Sequence, residues 1–503
     1  MRFPDFLRPV GLGLFLIGFA VWLYTLTLGT FRLTPGVVRQ TLKAEHQTAL
    51  QPGLAPLLGR TYDANLAFIA DVRGVINAYN ADQQAKQNWK AVIYDDYLFD
   101  LTKRATVGGP AERAGLWFWL SIGLAVLGTL LYVLPRLTDQ PGVRNDGLVR
   151  HPATHRGWIG IAVGTFLIGF YILLYFYPEY LTNWTTLVDP LSRALNGGAA
   201  SKWFLYGFLY TVVVLVMGVR MLINYRHSRY QQYRTYSVMG FQLFFAFLIP
   251  EIMSLLNAPY QDLKSIWPLD YDFFFDYEIE SKLKAGTLGI YMFVWGTALS
   301  AVGVPVITYF VGKRWYCSWV CGCGGLAETL GDPYRHLSDK RLKAWQIERW
   351  LVHGILVFAI VMTLLVLYSY ITGQSSLFGI LDSFSVRKTY GFLIGSIFAG
   401  VVGTGFYPLM GNRVWCRFGC PLAAYLGLVQ RVKSRFRITT NGGQCISCGN
   451  CSTYCEMGID VRWYAQRGQD IVRSSCVGCG ICSAVCPRGV LNLENGPVST
   501  RRI

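Results

Sequence analysis

Apolar residues gather along this chain in blocks of about twenty, at 9–29, 114–135, 157–179, 203–224, 237–256, 287–311, 351–373 and 391–411. About twenty helical residues span the roughly 30 Å of hydrocarbon in a bilayer, so each block predicts a membrane-spanning helix. The first block follows Arg2 and Arg8 as a secretion signal would. Its apolar run is too long for a signal core and no small-residue cleavage site follows, so it is also expected to stay as a helix. The polar stretches between blocks are unequal in charge. Loops 136–156, 225–236 and 312–350 carry 4, 3 and 7 Lys and Arg, against 2, 3 and 2 in loops 180–202, 257–286 and 374–390. Positive loops remain on the cytoplasmic side, which predicts a multi-pass protein of the bacterial inner membrane with both termini inside.

The same pattern divides the chain. A first helix occupies 1–30, an external segment 31–113, helices two to five 114–256, an external loop 257–286, helices six to eight 287–435, and a polar cytoplasmic domain without a span 436–503. Segment 31–113 has no cysteine and one histidine, His46, and is expected to fold as a small cap or helical hairpin without chemistry. In loop 257–286, Trp267, Tyr271, Phe273, Phe274, Phe275 and Tyr277 alternate with Asp262, Asp270, Asp272, Asp276, Glu278 and Glu280. That reads either as an interfacial aromatic belt with solvated acids or as an acidic docking face for an external partner subunit or electron carrier. The composition, 52% hydrophobic and 15% charged, excludes an ordinary soluble protein. The net charge of +17 is spread over loops between spans, so it reflects topology and not nucleic-acid binding.

Thirteen cysteines all lie between Cys317 and Cys486, which leaves the first 316 residues without a disulfide framework. Eight of them repeat one spacing: Cys445-x2-Cys448-x2-Cys451-x3-Cys455 and Cys476-x2-Cys479-x2-Cys482-x3-Cys486-Pro487. Structural zinc takes four ligands, usually as two separated pairs, and disulfides would leave the regularity unexplained. In an iron–sulfur domain, three thiolates two residues apart wrap one [4Fe–4S] cluster and the fourth reaches across to the other. Cys445, Cys448, Cys451 and Cys486 are expected at a first cluster, and Cys476, Cys479, Cys482 and Cys455 at a second. Gly449 and Gly480 follow the second cysteine of each copy and fit loops wound tightly on a cluster, where a side chain would obstruct. The region resembles the two-cluster bacterial ferredoxins. It departs from them at Glu456, where a Pro often follows the last cysteine of the first copy.

Two further pairs follow the sixth and eighth blocks, in Lys313-Arg314-Trp315-Tyr316-Cys317-Ser318-Trp319-Val320-Cys321 and Arg413-Val414-Trp415-Cys416-Arg417-Phe418-Gly419-Cys420-Pro421. Cys317 and Cys416 are 99 positions apart, as are Cys321 and Cys420, which suggests a duplicated unit. A spacing of four is expected to put both thiols of a pair on one helical face. Converging pairs would make Cys317, Cys321, Cys416 and Cys420 a third metal site, with Cys323 as an extra thiol. Reactive thiols, Cu(I) ligation or simple packing are the alternatives. Over roughly 287–497 the chain resembles the NapH/NosR-type polytopic quinol dehydrogenases, which combine paired Cys-x3-Cys-Pro motifs at the cytoplasmic face with a C-terminal two-cluster ferredoxin. The first pair here lacks the Pro. Segment 31–113 also lacks the flavin attachment sequence of the NosR proteins, so covalent flavin is not expected. The chain also resembles the oxidase-assembly proteins of the CcoG/FixG/RdxA group, which handle copper and are expected to have fewer spans and a soluble domain after the clusters.

A bis-histidine haem needs histidines in two facing spans, and only His353 lies within a block, so no haem is expected. His151 and His155 flank Pro152 just before the third block and are expected at the interface. Glu251, after Pro250 in the fifth block, is an intramembrane acid that could accept a proton from quinol, or else a helix-end acid near the outer interface. Arg220 is expected to snorkel. The expected protein is all-α and polytopic, with about eight transmembrane helices and a C-terminal α+β ferredoxin-like domain. The resemblance implies the electron-transfer subunit of a quinol-linked oxidoreductase, relaying electrons between the quinone pool and a partner redox protein. A copper-handling assembly factor is the alternative.

Overall fold

The computed structural model describes residues 3–93, 96–139, 154–262, 266–377, 379 and 381–500; His151 lies outside them. Among the described residues, seven helices are long and apolar enough to cross a membrane: Phe6–Thr25, Ala114–Thr138, Trp158–Phe176, Lys202–Asn224, Arg229–Leu255, Gly286–Val311 and Leu342–Thr372. The eighth block is helical as well, since Ser383–Tyr390, Gly391–Val402 and Gly403–Gly405 follow one another without a break. Glycines at 391, 395, 400, 403 and 405 dilute its apolar character. They allow close packing: a Cβ on Gly405 would lie 2.5 Å from Ile168, and one on Gly403 3.1 Å from Trp415. Small residues of this kind let helices approach where lipid provides no hydrophobic drive.

The chain forms two compact units. In the first, Met1–Pro135 with Ile172–Leu209, the first helix packs on Ala114–Thr138 through Gly11, Gly18 and Gly128. A Cβ on any of the three would stand 2.4–2.6 Å from the facing backbone. Segment 31–113 folds as a cap with strands as well as helices. Thr30–Arg32 pairs antiparallel with both Thr61–Tyr62 and Thr106–Val107, and Asn65–Ala85 covers this sheet over a core of Phe31, Phe68, Ile69 and Leu101. Lys103 holds the cap to Asp189 at 2.7 Å, and Arg73 pairs with the buried Glu179.

The second unit, Arg136–Tyr171 with Tyr210–Ile503, holds every cysteine. Its C-terminal part pairs Phe436–Thr440 antiparallel with Leu491–Asn495 and carries the helix Val461–Arg467 and two shorter cysteine-bearing helices, Asn450–Thr453 and Ile481–Ala484. This α+β part is docked on the segments that follow the spans. Ser318 Oγ, Tyr230 OH, Gln231 Nε2 and Gln430 Nε2 donate to the carbonyls of Val477 (2.8 Å), Gly478 (2.7 Å), Cys479 (2.8 Å) and Cys476 (2.8 Å). The Arg314 guanidinium lies 4.6 Å above the Phe436 ring.

Loop 257–286 turns its aromatic half inward. Phe273 and Phe275 are buried, Trp267 donates to Thr363 (3.1 Å), and the Tyr271 and Tyr390 rings are 5.2 Å apart, which leaves Tyr277 and Glu280 exposed. Arg220 does not snorkel. It is buried and donates to Asp332 Oδ2 at 2.8 Å, because the segment after Val311 folds back and supplies a carboxylate.

Candidate metal centres

Cys445, Cys448 and Cys451 line one cavity with Cys486 of the second copy. Cys476, Cys479 and Cys482 line another with Cys455 of the first. The exchange follows from the local backbone. Gly449 (φ 82°) and Gly480 (φ 74°) take left-handed conformations that start the two short helices, which carry the third cysteine of each copy. A Cβ on Gly480 would also lie 2.8 Å from the Tyr230 ring. The Val490 amide donates to Cys486 Sγ at 3.4 Å. Burial pushes the Cys451 and Cys476 thiols up to about 11. Bare thiols here keep their protons, which a bound metal would displace. Two all-sulfur rings of four fit [4Fe–4S] clusters.

A third cavity is lined by five thiols, Cys317, Cys321, Cys323, Cys416 and Cys420, together with Tyr316 and Trp415. The two pairs do not lie on helical faces. Cys317 ends the short helix Arg314–Cys317, whereas Cys321 is extended (φ −61°, ψ 130°) and caps Gly322–Thr329. Cys420 (φ −81°, ψ 112°) likewise caps Pro421–Val432, and its sulfur accepts from the Ala423 amide at 3.4 Å. Each pair therefore straddles the end of one helix and the start of the next, and this turn aims both thiols the same way. Arg413 Nη1 approaches Cys416 Sγ at 3.5 Å, and Trp415 Nε1 is buried without a hydrogen-bond partner. An all-sulfur ring bordered by N–H donors, one of them orphaned, fits a thiolate-held metal whose sulfur would accept it. Burial pushes the Cys317 thiol up to about 12, with the nearby Lys313 opposing.

Charged groups that sequence reasoning missed connect these sites. Lys313 is 2% exposed, and its Nζ donates to the carbonyls of Ser474 (2.6 Å) and Ala423 (3.4 Å), between the Cys476 loop and the Cys420 helix. Glu328 pairs with Arg234 (2.6 Å), Arg413 (2.6 Å) and Arg335; Glu456 pairs with Arg335 (2.5 Å) and Arg413 (3.0 Å); Asp332 pairs with Arg335 (2.7 Å) and Arg220 (2.8 Å). Burial alone would raise the Glu328 carboxyl, but Arg234, Arg335 and Arg413 hold it well below the usual carboxylate range. The carboxylates of Glu328 and Glu456 come within 4.8 Å of Cys479 Sγ, and the guanidiniums already neutralise them. The one sequence signal for this network was Glu456 in the place of a proline. Glu251 is buried near Tyr260 and is not among the residues lining the three thiol cavities.

Comparison with known proteins places iron–sulfur patterns on these segments. A 4Fe-4S binding domain matches residues 293–343 and again 390–439, the two segments that carry the cysteine pairs, and a 4Fe-4S dicluster domain matches 444–491. YccM of Escherichia coli (strain K12), provisionally named an electron transport protein, is 30% identical over 162 residues, which is 30% of this chain and 43% of YccM. MauN of Methylorubrum extorquens, named a methylamine utilization ferredoxin-type protein, is 26% identical over 169 residues, 32% of this chain and 54% of MauN. The chain thus spans about half the length of these curated relatives. No solved structure matches. The chain is therefore a membrane-helix protein with repeated 4Fe–4S binding domains and a dicluster domain, similar over about a third of its length to ferredoxin-type and electron transport proteins.

Proposed function

We propose that this protein relays electrons between the membrane quinone pool and a partner redox protein, as the electron-transfer subunit of a quinol-linked oxidoreductase of the bacterial inner membrane. Cys445, Cys448, Cys451 and Cys486 hold one [4Fe–4S] cluster, Cys476, Cys479, Cys482 and Cys455 a second, and Cys317, Cys321, Cys416 and Cys420 a third. Such clusters supply one-electron transfer. The observation that carries the reading is that eleven of the twelve thiols of the three rings, all but the exposed Cys448, belong to or pack against one continuous buried core. Around them this chain's own residues exclude water and place positive charge. Lys313 bonds the loop before Cys476 to the helix after Cys420, and Arg413 reaches from Cys416 to Glu456, the neighbour of Cys455. The positive loops support a cytoplasmic position for the ferredoxin part. The exposed Glu280 and the half-exposed Asp276 of loop 257–286 offer an outer docking edge for a partner.

The test is iron analysis of the purified protein combined with EPR after addition of a reduced quinol analogue. About twelve iron atoms per chain, falling to about eight in Cys416→Ser, together with quinol-reduced signals, supports the relay. Eight in the unaltered protein removes the third cluster, and clusters that quinol leaves oxidised in the intact complex remove the quinone. Cys323 favours a second reading, in which the five-thiol site handles Cu(I) for oxidase assembly. Stoichiometric Cu(I) binding that is lost in Cys323→Ser, with no response to quinol, would select it.

A further inference from the structure

A cavity of about 350 Å³ lies beside the third thiol ring. Its walls come from the first turns of Leu342–Thr372, from the stretch that begins at Cys416, and from the ferredoxin part through Met457 and Ser475. Cys416 lines both this cavity and the five-thiol one. The volume is in the range of small-molecule sites; about half of the lining is apolar, with Trp345, Trp350, Val352 and Met457, and the rest is charged or polar, with Lys313, Arg349, Arg417 and Arg431 cationic.

Three observations narrow the ligand. The first is depth. Leu342–Thr372 has 31 residues and is about 46 Å long at about 1.5 Å per residue, well beyond the roughly 30 Å of hydrocarbon. Its first turns therefore stand at the membrane surface, where Trp350, 76% exposed, has the place of an interfacial aromatic.

The second is an orphaned donor. Arg417 is 3% exposed; its Nε donates to Glu348 (2.7 Å) and its Nη1 to the Asp339 carbonyl (2.7 Å), while Nη2 is buried without a hydrogen-bond partner. A ligand oxygen in the cavity would satisfy it. The third is an acceptor. His353 Nδ1 lies 2.6 Å from the Arg349 carbonyl, so Nδ1 carries the hydrogen and Nε2 is left as the acceptor.

We propose that this cavity binds the head group of a membrane quinol or quinone, with one ring oxygen accepting from Arg417 Nη2 and the opposite hydroxyl donating to His353 Nε2. A planar apolar ring that enters from the bilayer surface and carries an oxygen at each end meets every one of these features. The basic groups alone would also suit an anionic lipid head group, but that ligand would make no use of the aromatic wall or the histidine acceptor. The inference rests on the electron-relay reading and gives its substrate a place. The balance is that of a hydroquinone: both O–H bonds break, the proton facing His353 leaves through Nε2 to water and the other leaves to water at the cavity mouth, and the two electrons pass one at a time to two oxidised [4Fe–4S] clusters, each taking one.

The test uses the full chain in phosphatidylcholine vesicles with a photoreactive short-chain quinone, followed by peptide mapping. Label is expected within 345–353 or 416–431, displaced by unlabelled quinol. Ala424→Trp and Val352→Phe fill the cavity from two sides and should each weaken quinone binding about tenfold or more while iron content stays unchanged. Label elsewhere, unchanged binding in both variants, or displacement by an anionic phospholipid and not by quinol would overturn the proposal. If quinol reduces the clusters while the label falls elsewhere, the site is wrong and the relay stands. Label in this cavity without cluster reduction keeps the site and removes the relay.

Discussion

At position 456 a ferredoxin copy often has a proline, and this chain has a glutamate that is 1% exposed between Arg335 and Arg413. The exchange gives the ferredoxin part an anchor: Glu456 joins the buried network at Glu328, and its own carbonyl accepts from Ser338 Oγ at 2.7 Å. Removing one partner of a buried ion pair leaves uncompensated charge and costs about 3–5 kcal/mol. Glu456→Gln should therefore lower the melting temperature and the iron content together, measured by thermal unfolding and iron analysis. Asp270 is a second buried carboxyl, one that faces another acid. Burial first, and then the neighbouring Asp272, push its carboxyl up to about 8. The folded state thus binds this proton more tightly than the unfolded chain, so stability is present below about pH 4 and is lost as pH rises towards about 8. Asp270→Asn should raise the melting temperature above pH 8 and change it little near pH 4, a comparison that two thermal scans provide.

The duplicated element is a helix end, a turn and a helix start, with a cysteine on each side of the turn. In the second copy Pro421 occupies the first helical position after Cys420, where its missing N–H costs nothing; in the first copy Gly322 holds that position after Cys321. Cys321 has the extended conformation that a residue before proline prefers. Gly322→Pro should accordingly be tolerated and should stabilise the protein by about 0.4–1 kcal/mol, read from thermal unfolding with iron content unchanged. The duplication itself was legible in the spacing of 99. The convergence of its four thiols was not, because it depends on turn geometry and on two segments nearly a hundred residues apart meeting.

Across the whole molecule the thiol rings run from the ferredoxin part to the five-thiol cavity and on to the membrane-surface pocket at the start of Leu342–Thr372. The relay reading makes that arrangement a circuit in which the quinone is reached from the positive face. Its topology is testable. A reporter fused after Ile503 and one fused before Met1 should both be active only on the cytoplasmic side, with neither cleaved by protease added outside intact cells. A reporter active on the opposite side would place the clusters outside and reverse the assignment.

The sequence alone determined the spans, since a run of about twenty apolar residues has few other stable fates, and the grouping of eight cysteines, since cluster ligation dictates its own spacing. It also hinted at the anchor through Glu456. Long-range contacts decided the rest. Lys313, Arg413 and Glu328 look like ordinary charged residues in a basic loop until folding buries Lys313 against the Ala423 carbonyl and Arg413 against Glu328, and Arg220 looked like a snorkelling side chain until Asp332 met it. Arg417 and His353 line one cavity only because the start of one helix and the stretch after Cys416 pack side by side, a proximity that no local pattern records.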